Sequence, residues 1–420
     1  MKKSFAFVVL LILGGCGGTT DPAANAGISG VPPVAPPPPP PPPATEVFRQ
    51  SIEGLTLDEF FDVSFKGLID RFPEDVLALT LQDEIPQPFP DINDFSDAYQ
   101  RETFELYQIA FDKLLTYDRT SLSPDEQLNY DVYEWYLADT LDELPFIHYP
   151  FAGTYFGFSQ QRATERFFTT LHPLQTQQDA EDYIDRLTLV DSKFQHLQTH
   201  LTNQQAAGVV EPGLSMDVAI GQVAGLANGP ATSHPYYIRF SNDIDNIAGL
   251  NNAIRTSMRQ RAQARINSDV IPAYAGLLGF LQNLRASAPN DIGVGQYPLG
   301  VAYYEYALRH HTTSDLTAAE IHQLGLDELA RIHAEMRTIF DQLGYPQNET
   351  LLELYARVEA DGGIVAAADT FQTFTDLVAF AEANLPQAFD VFPMADVVVT
   401  PDPFGGFYIG PSFDGSRPGA

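Results

Sequence analysis

One cysteine and 23 basic residues in a chain of 420 are the shortages that bound this sequence. With Cys16 alone, no disulfide can close within the chain, even in an oxidising compartment. The 23 Lys and Arg face 55 Asp and Glu, for a formal charge of −32 at pH 7. Phosphate binding needs a basic face, and none occurs, so nucleic acid is excluded as a partner. There is no G-x-S-x-G nucleophile elbow, no glycine-rich nucleotide motif and no fixed-period repeat. None of the nine histidines is followed by glutamate, so the sequence lacks the His-Glu pair on which zinc hydrolases build a ligand beside a general base. The one long apolar run, near the N-terminus, is too short to span a bilayer comfortably.

What remains is rich in core-forming residues. Apolar residues make up 44% of the chain and aromatics 12%, enough for one large helical domain or two smaller ones. Met1–Cys16, MKKSFAFVVLLILGGC, places two lysines before the apolar run and ends in a Leu-Gly-Gly-Cys lipobox. Similarity to lipoprotein signals implies cleavage before Cys16, acylation of that cysteine and a lipid anchor in the membrane. Gly17 after it favours the outer membrane, with the protein facing the periplasm. Residues 16–45 read as a tether. Pro36–Pro43 favours an extended polyproline helix reaching roughly 25 Å. Residues 46–420 form the folded domain.

Helix signals dominate that domain. Thr56-Leu57-Asp58-Glu59 is a capping box, and Ser123-Pro124-Asp125-Glu126 starts a second helix with proline at its first position. Leu128, Val132 and Trp135 make one face of that helix. Ala180, Tyr183, Leu187, Val190, Phe194, Leu197 and Leu201 follow a three-four period that predicts one long buried face, closed by Gly208. A second long helix is predicted over 243–268, with Ile247, Ile254 and Met258 inward. A third opens at Thr317, with Ile321, Leu329, Ile332, Met336, Ile339 and Phe340 on a shared face and an Asp327–Arg331 pair in solvent. Residues 145–172 are aromatic and aperiodic, as in a long loop that lines a site. Near the C-terminus, 397–400 and 407–409 are β-prone runs separated by proline and glycine, which predict two strands of a small sheet.

Tyr303, Tyr304, His310 and His311 crowd a helix-to-helix junction, where hydrogen-bonding tips on rigid bodies suit a pocket wall. The competing reading is a buried aromatic joint. His196 and His200 have the i, i+4 spacing of a shared metal ion, yet Leu197 stands where a base belongs, and no metal site is assigned. His322 and His333 are about 16 Å apart along one helix, too far to share an ion. His310 and His311, being adjacent, are expected to diverge.

The run AYYEYALRHHTTSDLTAAEIHQLGLDELARIHAEM resembles a large bacterial family, domain of unknown function number 885, which itself looks like a distant relative of zinc carboxypeptidases of the Taq type. LDEFFDVSFKGLIDRFPEDVLALTL and PSFDGSRPGA extend the resemblance from about Ser51 to the last residue. It implies a mainly α fold, a multi-helix shell around a cleft with a small β-sheet near the C-terminus. It also implies that Tyr408, Ser416 and Arg417 lie near that cleft, whose sheet edge could pair with an extended peptide substrate. In the family a His-Glu-x-x-Pro-Gly-His zinc motif follows the GSRPG segment. This sequence stops at Ala420 before any such motif. The expectation is therefore the N-terminal part of a zinc-metallopeptidase-like envelope hydrolase, incomplete at its C-terminal side. It carries no catalytic residue or metal of its own, and zinc belongs to the full-length family member. The alternatives are a non-catalytic peptide- or protein-binding envelope lipoprotein and an incomplete reading frame without independent function.

Overall fold

Local start signals fix the first helices. A computed structural model of the chain describes residues 42–390 apart from 87–89, 157–158 and 363–364, together with 392, 397 and 399. The predicted tether, Cys16 included, lies almost wholly outside them. Helix α1 (Ala44–Ser51) begins two residues before the expected boundary. α2 (Leu57–Ile69) opens at the first capping box, where the Thr56 N–H and hydroxyl donate to Glu59 at 2.9 and 2.8 Å. α3 (Pro73–Ala78) and α4 (Asp97–Leu114) follow, and Ser96 caps α4 by accepting from the Tyr99 N–H. α5 (Pro124–Glu143) starts at the second box, with Ser123 N–H donating to Glu126 at 2.7 Å. α1, α2, α4 and α5 close around Phe60, Leu106, Leu114 and Leu137. The predicted α5 face is corrected here: Leu128, Val132 and Trp135 are exposed, while Tyr130 and Leu137 point inward.

The larger core belongs to the next seven helices: α6 (Gln160–Arg166), α7 (Gln177–Arg186), α8 (Val190–Ala206), α9 (Gly213–Leu226), α10 (Pro235–Asp243), α11 (Asn252–Arg265) and α12 (Ile271–Leu284). The predicted face from Ala180 to Leu201 is buried throughout, although a tight turn at Leu187–Leu189 divides the helix into α7 and α8. Gly208, with φ +78°, lies just beyond the end of α8. Tyr183, Phe194, Tyr236, Phe240 and Tyr274 fill the centre. Their polar tips are satisfied inside: the Tyr183 hydroxyl donates to the Phe168 carbonyl at 3.0 Å, and the Tyr236 and Tyr274 hydroxyls meet at 2.6 Å.

The predicted helix over 243–268 is displaced. Asn251 caps a start at residue 252 by accepting from the Ile254 N–H at 2.9 Å, after a left-handed turn at Gly249. Ile247 is buried from the preceding loop rather than from a helix face. The helical path then runs past 268 through a widened π-type turn, Ile266–Val270, into α12. Pro272 has no N–H to give to the carbonyl four residues back, and the widened turn lies at that gap.

α13 (Gly300–Thr312) is held close to the preceding turn, since a Cβ on Gly300 would collide with the Val294 carbonyl. Thr313, at φ +50°, ends it, and Thr317 with Glu320 makes a further capping box, opening α14 (Ala318–Gln342). α15 (Leu351–Gly362) and α16 (Thr370–Asn384) complete the helices of the described residues. The predicted pair on α14 is corrected: Arg331 binds Glu328 and Glu335, and Asp327 accepts from Gln323. Its apolar stripe is largely exposed, with only Phe340 buried. No strand occurs among the described residues, and the two predicted at 397–400 and 407–409 lie outside them save for isolated positions. No helix of the described residues is long and apolar enough to cross a membrane.

Candidate functional site

α13 presents one side of a concavity of about 180 Å³, lined by Glu143, Tyr303, Tyr306, Ala307, His310 and His311. Its position is fixed from below. The Leu299 N–H donates to the Tyr149 hydroxyl at 2.6 Å, and the Tyr297 hydroxyl donates to the Val210 carbonyl at 2.6 Å. Phe146 stands 5.6 Å from the rings of both Tyr303 and Tyr306, so the wall is a packed aromatic stack rather than a loose fringe. The competing joint reading thus describes part of the same object: the ring bodies pack, while their edges border open space.

One lining residue, Glu143, is acidic, and a second carboxylate, Asp139, lies behind His310. His310 Nδ1 lies 2.6 Å from Asp139 Oδ2 on α5, and Asp139 is only 7% exposed. Its second oxygen, Oδ1, is buried with no hydrogen-bond partner in the protein. A buried acceptor left unmatched costs on the order of 1–3 kcal/mol. Burial pushes the Glu143 carboxyl up, against the pull of His310. Burial and then Glu143 likewise push the Tyr306 hydroxyl up, so it stays a neutral donor. Arg309 is turned outward to Asp142 at 2.7 Å. Aromatic sides beside a lining carboxylate suit a cation or another hydrogen-bond donor.

Of the residues singled out in the sequence, Tyr303, His310 and His311 meet at this concavity. Tyr304 does not line it and is 45% exposed. The expected divergence of His310 and His311 is corrected: their rings sit 4.8 Å apart, edge to face. Cys16, Tyr408, Ser416 and Arg417 lie outside the described residues. Asp139 and Glu143 were not singled out, because the end of α5 gives no local sign that it faces α13. The aromatic segment 145–172 pointed there only in general terms, and Phe146 and Tyr149 are its contribution.

A second polar cluster surrounds α8. His196 and His200, weighed as a pair, take different partners: His196 Nδ1 meets Asp94 at 2.9 Å, and His200 Nδ1 meets Asp97 at 3.0 Å. His148 approaches the same Asp97 carboxylate at 3.6 Å. Burial lowers the His200 pKa, against the Asp97 hydrogen bond, and keeps the ring neutral. Burial would raise Asp97, but hydrogen bonds from His200 and Asn203 outweigh it and hold the carboxylate below its usual range. Beside this cluster, Asp94 and His196 rim a cavity of about 200 Å³ that Lys193 also lines, its ammonium in a buried pair with Glu74 at 2.5 Å.

Comparison with known proteins settles the family. The family described as "Bacterial protein of unknown function (DUF885)" matches residues 87–420, and the chain belongs to it. In fold the chain is similar to a solved structure described as "the putative lipoprotein from Colwellia psychrerythraea", with a TM-score of 0.73 and 19% identity. That likeness covers 84% of this chain and 61% of the solved one, so the chain spans about three fifths of its neighbour's length. No curated protein matches the chain.

Proposed function

We propose that this chain is a lipid-anchored envelope protein that holds peptides at the α13 concavity, as the N-terminal part of a zinc-metallopeptidase-like hydrolase. The anchor is Cys16, the location the outer membrane facing the periplasm, and the segment 16–45 the spacer. Membership of the family and likeness in fold to a protein described as a lipoprotein support this. The observation that carries the peptide reading is the Glu143 carboxylate lining the concavity beside the Tyr303 and Tyr306 rings. A lysine or arginine side chain, or a peptide amino terminus, would place its N–H groups toward Glu143 while its apolar stem lies along Tyr303 and Tyr306. His310, already bound to Asp139, orients that carboxylate. In this reading Tyr408, Ser416 and Arg417 contribute to the same peptide site.

Zinc chemistry in the resembling hydrolases comes from the His-Glu-x-x-Pro-Gly-His motif, which this sequence does not contain. The concavity offers His310 and His311, but among the described residues three convergent ligand atoms occur elsewhere and not here, so the set does not fit an open catalytic zinc site. No bond-breaking step is therefore assigned to the described residues, and the second reading is a non-catalytic peptide-binding lipoprotein. One experiment addresses the shared binding claim and separates the two. Extended peptides differing only by lysine, norleucine or glutamate at one position are titrated onto the protein, and the mixtures are analysed for cleavage with and without zinc. Preferential capture of the lysine peptide without cleavage is expected, and equal affinity for all three would refute the site. Chelator-sensitive turnover would overturn the absence of catalysis. For the anchor, a palmitate analogue should label the protein in cells, and labelling that persists in Cys16→Ala would remove that part.

A further inference from the structure

We propose that Asp97, His148 and His200 form a three-ligand site for a divalent transition metal of the zinc class, fastening α4, the 147–150 segment and α8 together. The three come from separate elements, more than fifty residues apart in places, yet converge so that one ligand atom from each lies within 4.8 Å of the others. The His148 and His200 rings are 5.1 Å apart and both face the Asp97 carboxylate. Two imidazoles and a carboxylate are a donor set that zinc accepts, with a fourth position left for water. Tetrahedral ligand bonds of about 2.0–2.2 Å put ligand atoms about 3.3–3.6 Å apart, so the widest separation has to close by at most about 1.5 Å. His148 is part-exposed and can supply that movement.

The supporting shell resembles what metal ligands need. The Asn203 amide donates to Asp97 Oδ2 at 2.7 Å. The Gln204 amide donates to the carbonyls of His148 at 2.9 Å and Pro150 at 2.7 Å, pinning the loop that carries His148. Phe95 packs edge-on to His200 at 4.8 Å. His148 Nδ1 is buried without a partner, whereas its Nε2 points toward Asp97. The rival account is a hydrogen-bonded strut that needs no ion. The two differ in what metal does to the protein.

The full chain, stripped of metal, is dialysed against Zn²⁺ and Co²⁺, with bound metal measured by mass spectrometry, the Co²⁺ visible spectrum recorded and melting followed. One equivalent, a four-coordinate Co²⁺ spectrum and a higher melting temperature are expected. His148→Gln should weaken uptake at least about tenfold, since a first ligand matters no less than its supports. Asp97→Asn should do the same, and His322→Ala on exposed α14 should change nothing. Uptake below one equivalent by the unaltered chain overturns the site whatever the variants do. So does stoichiometric uptake that survives both His148→Gln and Asp97→Asn.

Discussion

α7 to α12 and α14 to α16 share the same sequence signature, apolar residues at helical period, and end in opposite states. In the first group Tyr183, Phe194 and Tyr274 are completely buried. In the second, among the described residues, Phe340 and Leu354 alone are buried, while Leu329, Ile332, Phe371 and Phe380 are 42–68% exposed. Periodicity identifies a face; it does not say whether anything covers it. α14 forms because Thr317 and Glu320 satisfy its first N–H groups and Arg331 bridges two acids on its surface. Those are local devices, each worth fractions of a kcal/mol to about 1 kcal/mol. α8 forms as part of a packed centre, where each large apolar side chain contributes about 1.5–3 kcal/mol on burial.

The widest gap should appear on truncating one ring in each group. Phe194→Ala should cost about 3–5 kcal/mol in denaturant unfolding, because its neighbours on every side are fixed. A loss near zero would mean that α8 does not organise the core. A smaller effect within the packed region concerns charge. Burial pushes the Glu211 carboxyl up to about 7, so its contribution to stability is complete below the ordinary carboxylate range and is lost as pH rises through 7. Glu211→Gln should therefore be more stable than the unaltered chain at about pH 8, by up to about 3 kcal/mol, and no more stable near pH 4. The buried His172 and His234 run the other way. Burial lowers them to about 3 and about 4, and their contribution is lost as pH falls below the histidine range through those values. Unfolding midpoints between pH 4 and 8 for the two proteins check both signs. Smallest of all, Phe371→Ala on α16 should shift stability by less than about 0.5 kcal/mol. A cost matching that of Phe194 would show that α16 packs as tightly as α8 and erase the contrast.

Caps and the buried face from Ala180 to Leu201 were legible because both depend on neighbours within four residues. The start of α11 was misplaced because Ile247 looks helical in a window of sequence, whereas Gly249 and Asn251 decide the backbone. The Arg331 partner was misread because Asp327, Glu328 and Glu335 all lie within reach of one arginine, and rotamers choose among them. At the concavity, Tyr303, His310 and His311 could be picked out by crowding, but Asp139 and Glu143 are over 150 residues away from them. Likewise the i, i+4 spacing pairs His200 with His196, its helical neighbour. Its actual partners, Asp97 and His148, are joined to it only by the fold.

The central functional claim is that the lining carboxylate beside the α13 aromatics selects a basic group. The most direct measurement is a charge swap at Glu143, the acid that lines the concavity. Affinities of lysine- and glutamate-bearing versions of one extended peptide are compared for the unaltered protein and Glu143→Lys, with circular dichroism confirming the fold. The account predicts that the variant loses at least about tenfold for the lysine peptide, the equivalent of about 1.4 kcal/mol, and reverses the preference. Unchanged affinity for both peptides in a folded Glu143→Lys protein would contradict it.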